Sequence, residues 1–531
     1  MAETRVVTIE SILGGQSLTT HFGTSDQFRS SLGIDPSQPI DINNTANSSI
    51  ASGVIVPIGS TSFTGDASLF PLMWLKTNPK SANVYAYASG GSVFTMDVAS
   101  ATLSALSDGE SMAAATGNGA AYYDNYMYFA KDTTIARYGP LNGSPSFNGD
   151  YWVTTLSKAQ LTNTTYPGEK RLGILYPNHF LHRHSDGKLY VADVVGNLGT
   201  LHYIATSKTT VEGDTDNGST FSKLTLGYGL WPTSIESYGP DLAIALYEGG
   251  AFASREARAK IAFWDTTSTN FNKITWVEFP DQIITAMKNI NGVLYVVSGN
   301  YNARGFRVSR FVGGYTFEEV WYSEVGEPCL GGAIDGTQAR LLIGTLTTVP
   351  ASDACVFSLG LQKGITGKGI FNVLRSGANL STAIVTALGL IKNADFNVFT
   401  PVIARSNSSG TSASAHRTDI QSENNSNANS VFWSQVYRIG QPFKIKKIRI
   451  PLAQAMAANM TIVPKIYFDD GVDTKTLTTI NNTNYPSKKN IVIRPENAVG
   501  DHNFWLELVW SGTVRCTVNL PITIEFELID D

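Results

Sequence analysis

The chain has 531 residues, 42% apolar and only 16% charged, which allows several buried cores and excludes disorder driven by charge. The missing charge is replaced by 48 Gly and by Ser, Thr and Asn, a composition that predicts turn-rich β-structure and argues against long helices. Thirty-nine Lys and Arg against 44 Asp and Glu leave a net charge of −5, so no bulk positive field draws nucleic acid, and none is expected as a partner.

Residues 1–65 carry short apolar pieces broken by Gly, Pro, Asn and Ser, as in Gly33-Ile34-Asp35-Pro36. Such a segment cannot close a core alone, which predicts an extended N-terminal arm lying on another surface. Its first 15 residues lack a basic segment followed by an apolar run, and no run of 18 apolar residues occurs anywhere. Neither a secretory leader nor membrane insertion is therefore expected. Cys329, Cys355 and Cys516 are odd in number and far apart, which fits folding in a reducing host cytoplasm without structural disulfides.

Residues 66–404 are read as a β-propeller. A turn signal followed by a short apolar run recurs at Asn83, Asn125, Gly187, Asp241, Gly292, Gly336 and Asp395, spaced by 42, 62, 54, 51, 44 and 59 positions. A blade of four strands takes about 40 to 50 residues, so seven copies predict seven blades. A second run follows most copies, at Val93–Asp97, Ile135–Gly139, Leu201–Ile204, Ile261–Asp265, Val308–Phe311 and Val356–Leu359. The repeat is thus composite, a buried strand and then a more amphipathic one.

Within this region His179, His182 and His184 form the one histidine concentration, and alternation puts His182 and His184 on one strand face. No Cys or carboxylate nearby completes a ligand set, so they are read as strand histidines. Asp214-Thr215-Asp216-Asn217-Gly218-Ser219-Thr220-Phe221 resembles the Asp-box hairpin, with Asp214 and Phe221 in place of its Ser and Trp. The resemblance implies that Asp216 accepts turn amides and that the motif marks a blade hairpin. Phe263-Trp264-Asp265 is similar to the strand ending of WD-type blades. Arg171, Arg183, Arg255, Arg258 and Arg307 form no ordered set of the kind sialidases use, and glycoside hydrolysis stays an alternative.

Residues 405–430 are rich in Ser and Asn and read as a polar linker. Residues 431–531 hold six strand-like runs, enough for a separate C-terminal β-sandwich of jelly-roll type. Phe443-Lys444-Ile445-Lys446-Lys447-Ile448-Arg449-Ile450 alternates on either side of a slip at Lys447, the mark of a half-exposed, bulged strand. Its cations, Lys444, Lys446, Lys447 and Arg449, are expected at the surface, solvated or available to an acidic partner subunit or an anionic glycan. Asp469-Asp470-Gly471-Val472-Asp473 is oxygen-rich but lacks the later bidentate Glu of a calcium loop, and is read as a capped turn.

The expected fold is therefore all-β: a seven-bladed β-propeller followed by a jelly-roll-like β-sandwich, with an extended N-terminal arm. This order, on segments such as Gly33-Ile34-Asp35-Pro36 and Phe443 to Pro451, resembles the structural proteins of tailed-bacteriophage virions. The resemblance implies a non-enzymatic tail or appendage component located in the virion. It implies partners among other copies of itself, other virion proteins and a host-surface glycan. A glycan-binding propeller lectin is the other alternative. No catalytic residue, cofactor-binding residue or metal ligand is assigned, and no cofactor is expected.

Overall fold

A computed structural model of the chain describes residues 4–11, 15–16, 27–32, 54–55, 59–65, 72–78, 83–88, 93–106, 119–130, 135–152, 180–195, 198–204, 223–248, 258–268, 275–300, 305–323, 329, 331–336, 340–345, 356–360, 370–374, 383–393, 398–407, 413–419, 430–512, 514 and 516–529. Among these, every regular element is a β-strand except one 3-10 turn at Asp469–Gly471. The strands form seven small blade-like sheets and two larger ones, with one short extra pair.

The seven recurring runs become the second strands of the seven small sheets: Val84–Ala88, Tyr126–Ala130, Leu189–Val195, Asp241–Glu248, Val293–Gly299, Arg340–Gly344 and Val398–Asn407. The six companion runs fall on third strands. The middle stretches of the second strands are largely apolar because both faces are covered. Leu242, Ile244 and Leu246 pack toward the third sheet, whereas Ala243 and Ala245 pack toward the fifth. Each of the larger three contributes about 1.5–3 kcal/mol of burial. Two-residue loops with left-handed backbone, Asp124-Asn125 and Asn291-Gly292, set the register of two of these hairpins.

First strands touch one another in succession. Leu72–Thr77, Ala120–Tyr123, Phe180–Arg183, Leu230–Tyr238, Ile283–Ile290, Ile334–Gly336 and Ala383–Asn393 each meet the next, and the last meets the first. The seventh sheet takes its fourth strand, Gly59–Ser62, from the N-terminal region, in register His416 with Ser62. The next residues cross to the first sheet. Phe63 donates its N–H to Ala415 O in the seventh (2.9 Å), Thr64 donates to Ala101 O in the first (2.9 Å), and Thr64–Gly65 lies parallel to Thr102 and Leu103.

The two larger sheets pack face to face. One runs Thr4–Ile9, Ile522–Leu528, Phe443–Pro451 and Asn490–Ile493; the other runs Gly15–Gln16, Gln27–Leu32, Ser430–Ser434, Asn503–Trp510, Thr461–Phe468 and Asp473–Thr476. Phe443 meets Phe504 (ring centres 5.4 Å apart) and Phe468 (6.0 Å) across the interface. Their core is continuous with that of the fifth to seventh small sheets, and Ile9, Phe28 and Ile55 belong to it.

Two expectations are corrected here. Residues 1–65 are not a separate arm: their described strands complete both larger sheets and the seventh small one. Backbone pairing to remote strands replaces the core that this stretch cannot build for itself. Residues 405–430 are not a linker throughout, because Val398–Asn407 and Ala413–Asp419 are adjacent strands of the seventh sheet. Their Ser, Asn and Thr side chains disguise a strand in which Ala415 is buried. The slip at Lys447 is present as a register shift between Ile445 and Lys447 against Ile522–Leu528.

Candidate functional site

Four first strands carry the same irregularity. Register against the second strand slips between Leu72 and Trp74, Pro232 and Ser234, Ile284 and Ala286, and Val385 and Ala387. The extra residues are Met73, Thr233, Thr285 and Thr386, and a bulge re-aims the part of the strand beyond it. Three positions later come Lys76, Glu236, Lys288 and Gly389. With Asp335 of the sixth sheet they line one cavity of about 220 Å³ bounded by five first strands.

The charges of this ring are unequally matched. Lys288 Nζ lies 3.0 Å from Asp335 Oδ1. Asp335 also accepts the N–H of Gly336 (2.9 Å) and, from the seventh sheet, of Leu390 (2.8 Å), so both its oxygens are engaged. Asp335 holds the Lys288 ammonium above its ordinary pKa against the effect of burial. Glu236 Oε1 accepts the N–H of Ser237 at 3.0 Å. Lys76 sits 5.2 Å from the Trp74 ring centre, and no hydrogen-bond or ion-pair partner reaches it among the described residues. Burial, with repulsion from Lys288 second, lowers its pKa to about 8. The arrangement offers binding charge.

A second polar device repeats at the outer part of the fourth and fifth sheets. Lys260, buried, bridges Glu248 (2.5 Å) and Glu278 (3.5 Å) beneath the ring of Trp276, which is 46% exposed. Arg307 is held by Asp281 (3.1 Å) and Glu319 near Tyr322, 40% exposed. Both cations are on third strands.

Among the residues singled out by sequence, His184 joins two sheets, with Nδ1 2.8 Å from Ser237 Oγ and Nε2 2.8 Å from Pro240 O. His182 lies in Phe180–Arg183, while His179, Cys355, Arg171, Arg255 and the whole Asp214–Phe221 motif fall outside the described residues. Among the described residues no group of three or more His, Cys, Asp or Glu could hold a metal ion. Asp469 accepts N–H groups from Asp501, His502 and Asn503; burial works against its charge, yet these bonds hold its pKa below the ordinary range. That is a capped turn. Burial pushes the thiols of Cys329 and Cys516 up to about 12, so neither is a thiolate at neutral pH.

The cations of the bulged strand are matched within the chain. Lys447 and Arg449 pair with Glu525 (2.6 and 3.5 Å), and Lys446 with Glu527 (2.5 Å). Lys446 and Arg449 are at the surface as expected, and what the sequence reading missed is that their carboxylate partners lie on the adjacent strand of the same chain. The acidic strand beside them was written in the sequence as Glu525-Phe526-Glu527.

Trp264 and Asp265 do end a third strand. Asp265 Oδ1 accepts the N–H groups of Thr267 (3.0 Å) and Ser268 (2.7 Å), and its Oδ2 accepts the Ser268 hydroxyl (2.7 Å). Asp97 does the same with Ala99 and Ser100 at the end of the third strand in the first sheet. The shared pattern Asp-x-x-Ser could have been found from sequence, as could Thr-[Ser/Ala]-apolar at the bulges, Thr233-Ser234-Ile235, Thr285-Ala286-Met287 and Thr386-Ala387-Leu388.

No protein-family model matches the chain, and no curated protein does. Among solved structures it is similar to the Pan2 WD40 domain of Neurospora crassa, at 8% identity and a TM-score of 0.38, over 66% of this chain and 89% of that one. It is similar to the RRP9 WD40 repeats (8% identity, TM-score 0.40, 68% and 98% covered). The Cps50 (Swd1) β-propeller domain of Myceliophteria thermophila gives 11%, 0.42, 68% and 100%.

Proposed function

We propose that the chain is a non-enzymatic structural component of a tailed-phage particle, in its tail or a surface appendage. In this reading the seven small sheets form a closed seven-bladed propeller and the two larger sheets a jelly-roll sandwich. Its partners are other copies of itself and other virion proteins. The observation that carries the reading is the path of residues 4–65, which pair in turn with Ile522–Leu528, Ser430–Ser434, Ala413–Asp419 and Thr102–Ala105. Modules joined by paired strands resist relative motion, as a part under mechanical load requires; modules joined by a linker swing. Mass spectrometry of particles purified from an infected or induced culture carrying the gene tests this. The chain should be a stoichiometric component, and its recovery only outside particles would overturn the reading.

Host-glycan attachment is favoured by one observation, the exposed rings of Trp276 and Tyr322 beside Lys260 and Arg307 with their carboxylates. Aromatic faces flanked by hydrogen-bonding charges suit sugar rings. Retention on a glycan array that is lost in Trp276→Ala supports attachment; an array without signal removes it.

A further inference from the structure

The cavity at the centre of the first strands is charged and yet unevenly compensated. Four ionisable side chains face it from four sheets: Lys76 from the first, Glu236 from the fourth, Lys288 from the fifth and Asp335 from the sixth. Gly389 brings no charge from the seventh. Asp335 cannot serve Lys76, because Lys288 and the N–H groups of Gly336 and Leu390 occupy its oxygens. Glu236 is turned back on the N–H of Ser237. Lys76 is left as a half-buried cation without a hydrogen-bond acceptor among the described residues, repelled by Lys288 and attracted by Asp335 and Glu236 without bonding either. Such a group raises the free energy of the empty site.

We propose that this cavity binds a small monocarboxylate, whose oxygens accept hydrogen bonds from Lys76 and Lys288. Volume limits the ligand. About 220 Å³ is below the usual range for drug-sized ligands. Charge limits it too. One negative charge relieves the repulsion between the two ammonium groups, and each further charge adds repulsion from the carboxylates of Glu236 and Asp335, which disfavours a di- or trianion. Trp74 lines the same space and offers an apolar side to a short carbon chain. A bound carboxylate also draws the Lys76 ammonium back toward its ordinary range, so binding takes up protons near pH 8 and weakens as pH rises through it.

The site does not depend on where the chain resides, and its test leaves the particle reading untouched. Titration calorimetry of the full chain with acetate, butyrate and pyrophosphate at constant ionic strength reads it directly. Acetate or butyrate should bind saturably and pyrophosphate should not. Lys76→Met should weaken binding about tenfold or more, the usual effect of losing one charge-assisted hydrogen bond, while Lys76→Arg keeps it within a few-fold. Glu236→Gln should tighten it. This variant of opposite sign keeps the test decisive should Lys76→Met fold poorly. No saturable carboxylate binding by the wild-type chain, equal binding by Lys76→Met, or weaker binding by Glu236→Gln would each overturn the assignment.

Discussion

The guanidinium of Arg29 lies 4.4 Å from the ring centre of Trp505, so a side chain from the N-terminal region caps a strand 476 positions later. Tyr467 stacks on the same indole with ring centres 5.0 Å apart and planes 1° from parallel. Trp505 is on the outward face of its strand, since Phe504 and Leu506 point into the core, and it is nevertheless 5% exposed. Arg29 and Tyr467 cover it, with Gly471 against the edge of the indole.

Replacing Arg29 by Ala should therefore cost about 1–2 kcal/mol, through the lost cation–π contact and the apolar surface uncovered. Urea unfolding followed by tryptophan fluorescence measures this. A midpoint equal to wild type would show that the contact adds nothing.

Truncation should have a larger effect. A chain without residues 1–65 lacks one strand of one larger sheet, two of the other and the outer strands of the seventh and first small sheets, which leaves four open edges and removes Ile9, Phe28 and Ile55 from the core. Residues 431–531 alone lose the same partners. Both products should aggregate or unfold without a cooperative transition, and residues 1–65 supplied in trans should rescue the fragment. A soluble, cooperatively melting monomer from either one contradicts this.

The carboxylates that cap third strands should matter modestly and with a defined pH dependence. The backbone N–H of Ser268 and then its hydroxyl hold the Asp265 pKa down to about 2, whereas the unfolded value is 3.8. The contribution is present above 3.8 and is lost as pH falls through about 2. Asp265 is exposed, so Asp265→Ala should cost about 1 kcal/mol or less at pH 7, with Asp97→Ala alike. Melting temperatures at pH 7 and pH 2 check both, and a gap that persists at pH 2 counts against the cap.

Lys76 should show the reverse sign. Its pKa falls from 10.5 to about 8 on folding, so the unfolded chain binds more protons between those values and stability rises with pH there. Below about 8 the buried charge carries its full cost. Lys76→Met, measured without added carboxylate, should therefore melt above wild type at pH 7, with the difference shrinking between pH 8 and 10.5. A difference independent of pH would assign the effect to packing alone.

The blade-like sheets were legible because their second strands are buried on both faces and are announced by turn residues, as Asn291-Gly292 announces Val293–Gly299. The path of Gln27–Leu32 was not legible. Its polar composition matches a loop, and its partner Ser430–Ser434 is about 400 positions away, beyond any local periodicity. The charged ring was hidden for a related reason: Lys76, Glu236, Lys288 and Asp335 are ordinary strand-surface residues in isolation. Only the bulges at Met73, Thr233 and Thr285 turn the first three toward a common space.

Pairing of Ile9 with Ile522 also sets a clock. A ribosome adding about 5–20 residues per second needs about 25 to 100 s to travel the 513 positions between them. Through that interval Thr4–Ile9 has no partner strand, whereas Gln27–Leu32 and Gly59–Ser62 can pair as soon as Ser430–Ser434 and Ala413–Asp419 have been made. The sheet that holds Thr4–Ile9 consequently closes only after Ile522–Leu528 has been made, late relative to every small sheet. A product stopped short of residue 522 leaves Thr4–Ile9 an open strand, so that one pairing reports whether the distant strand is present.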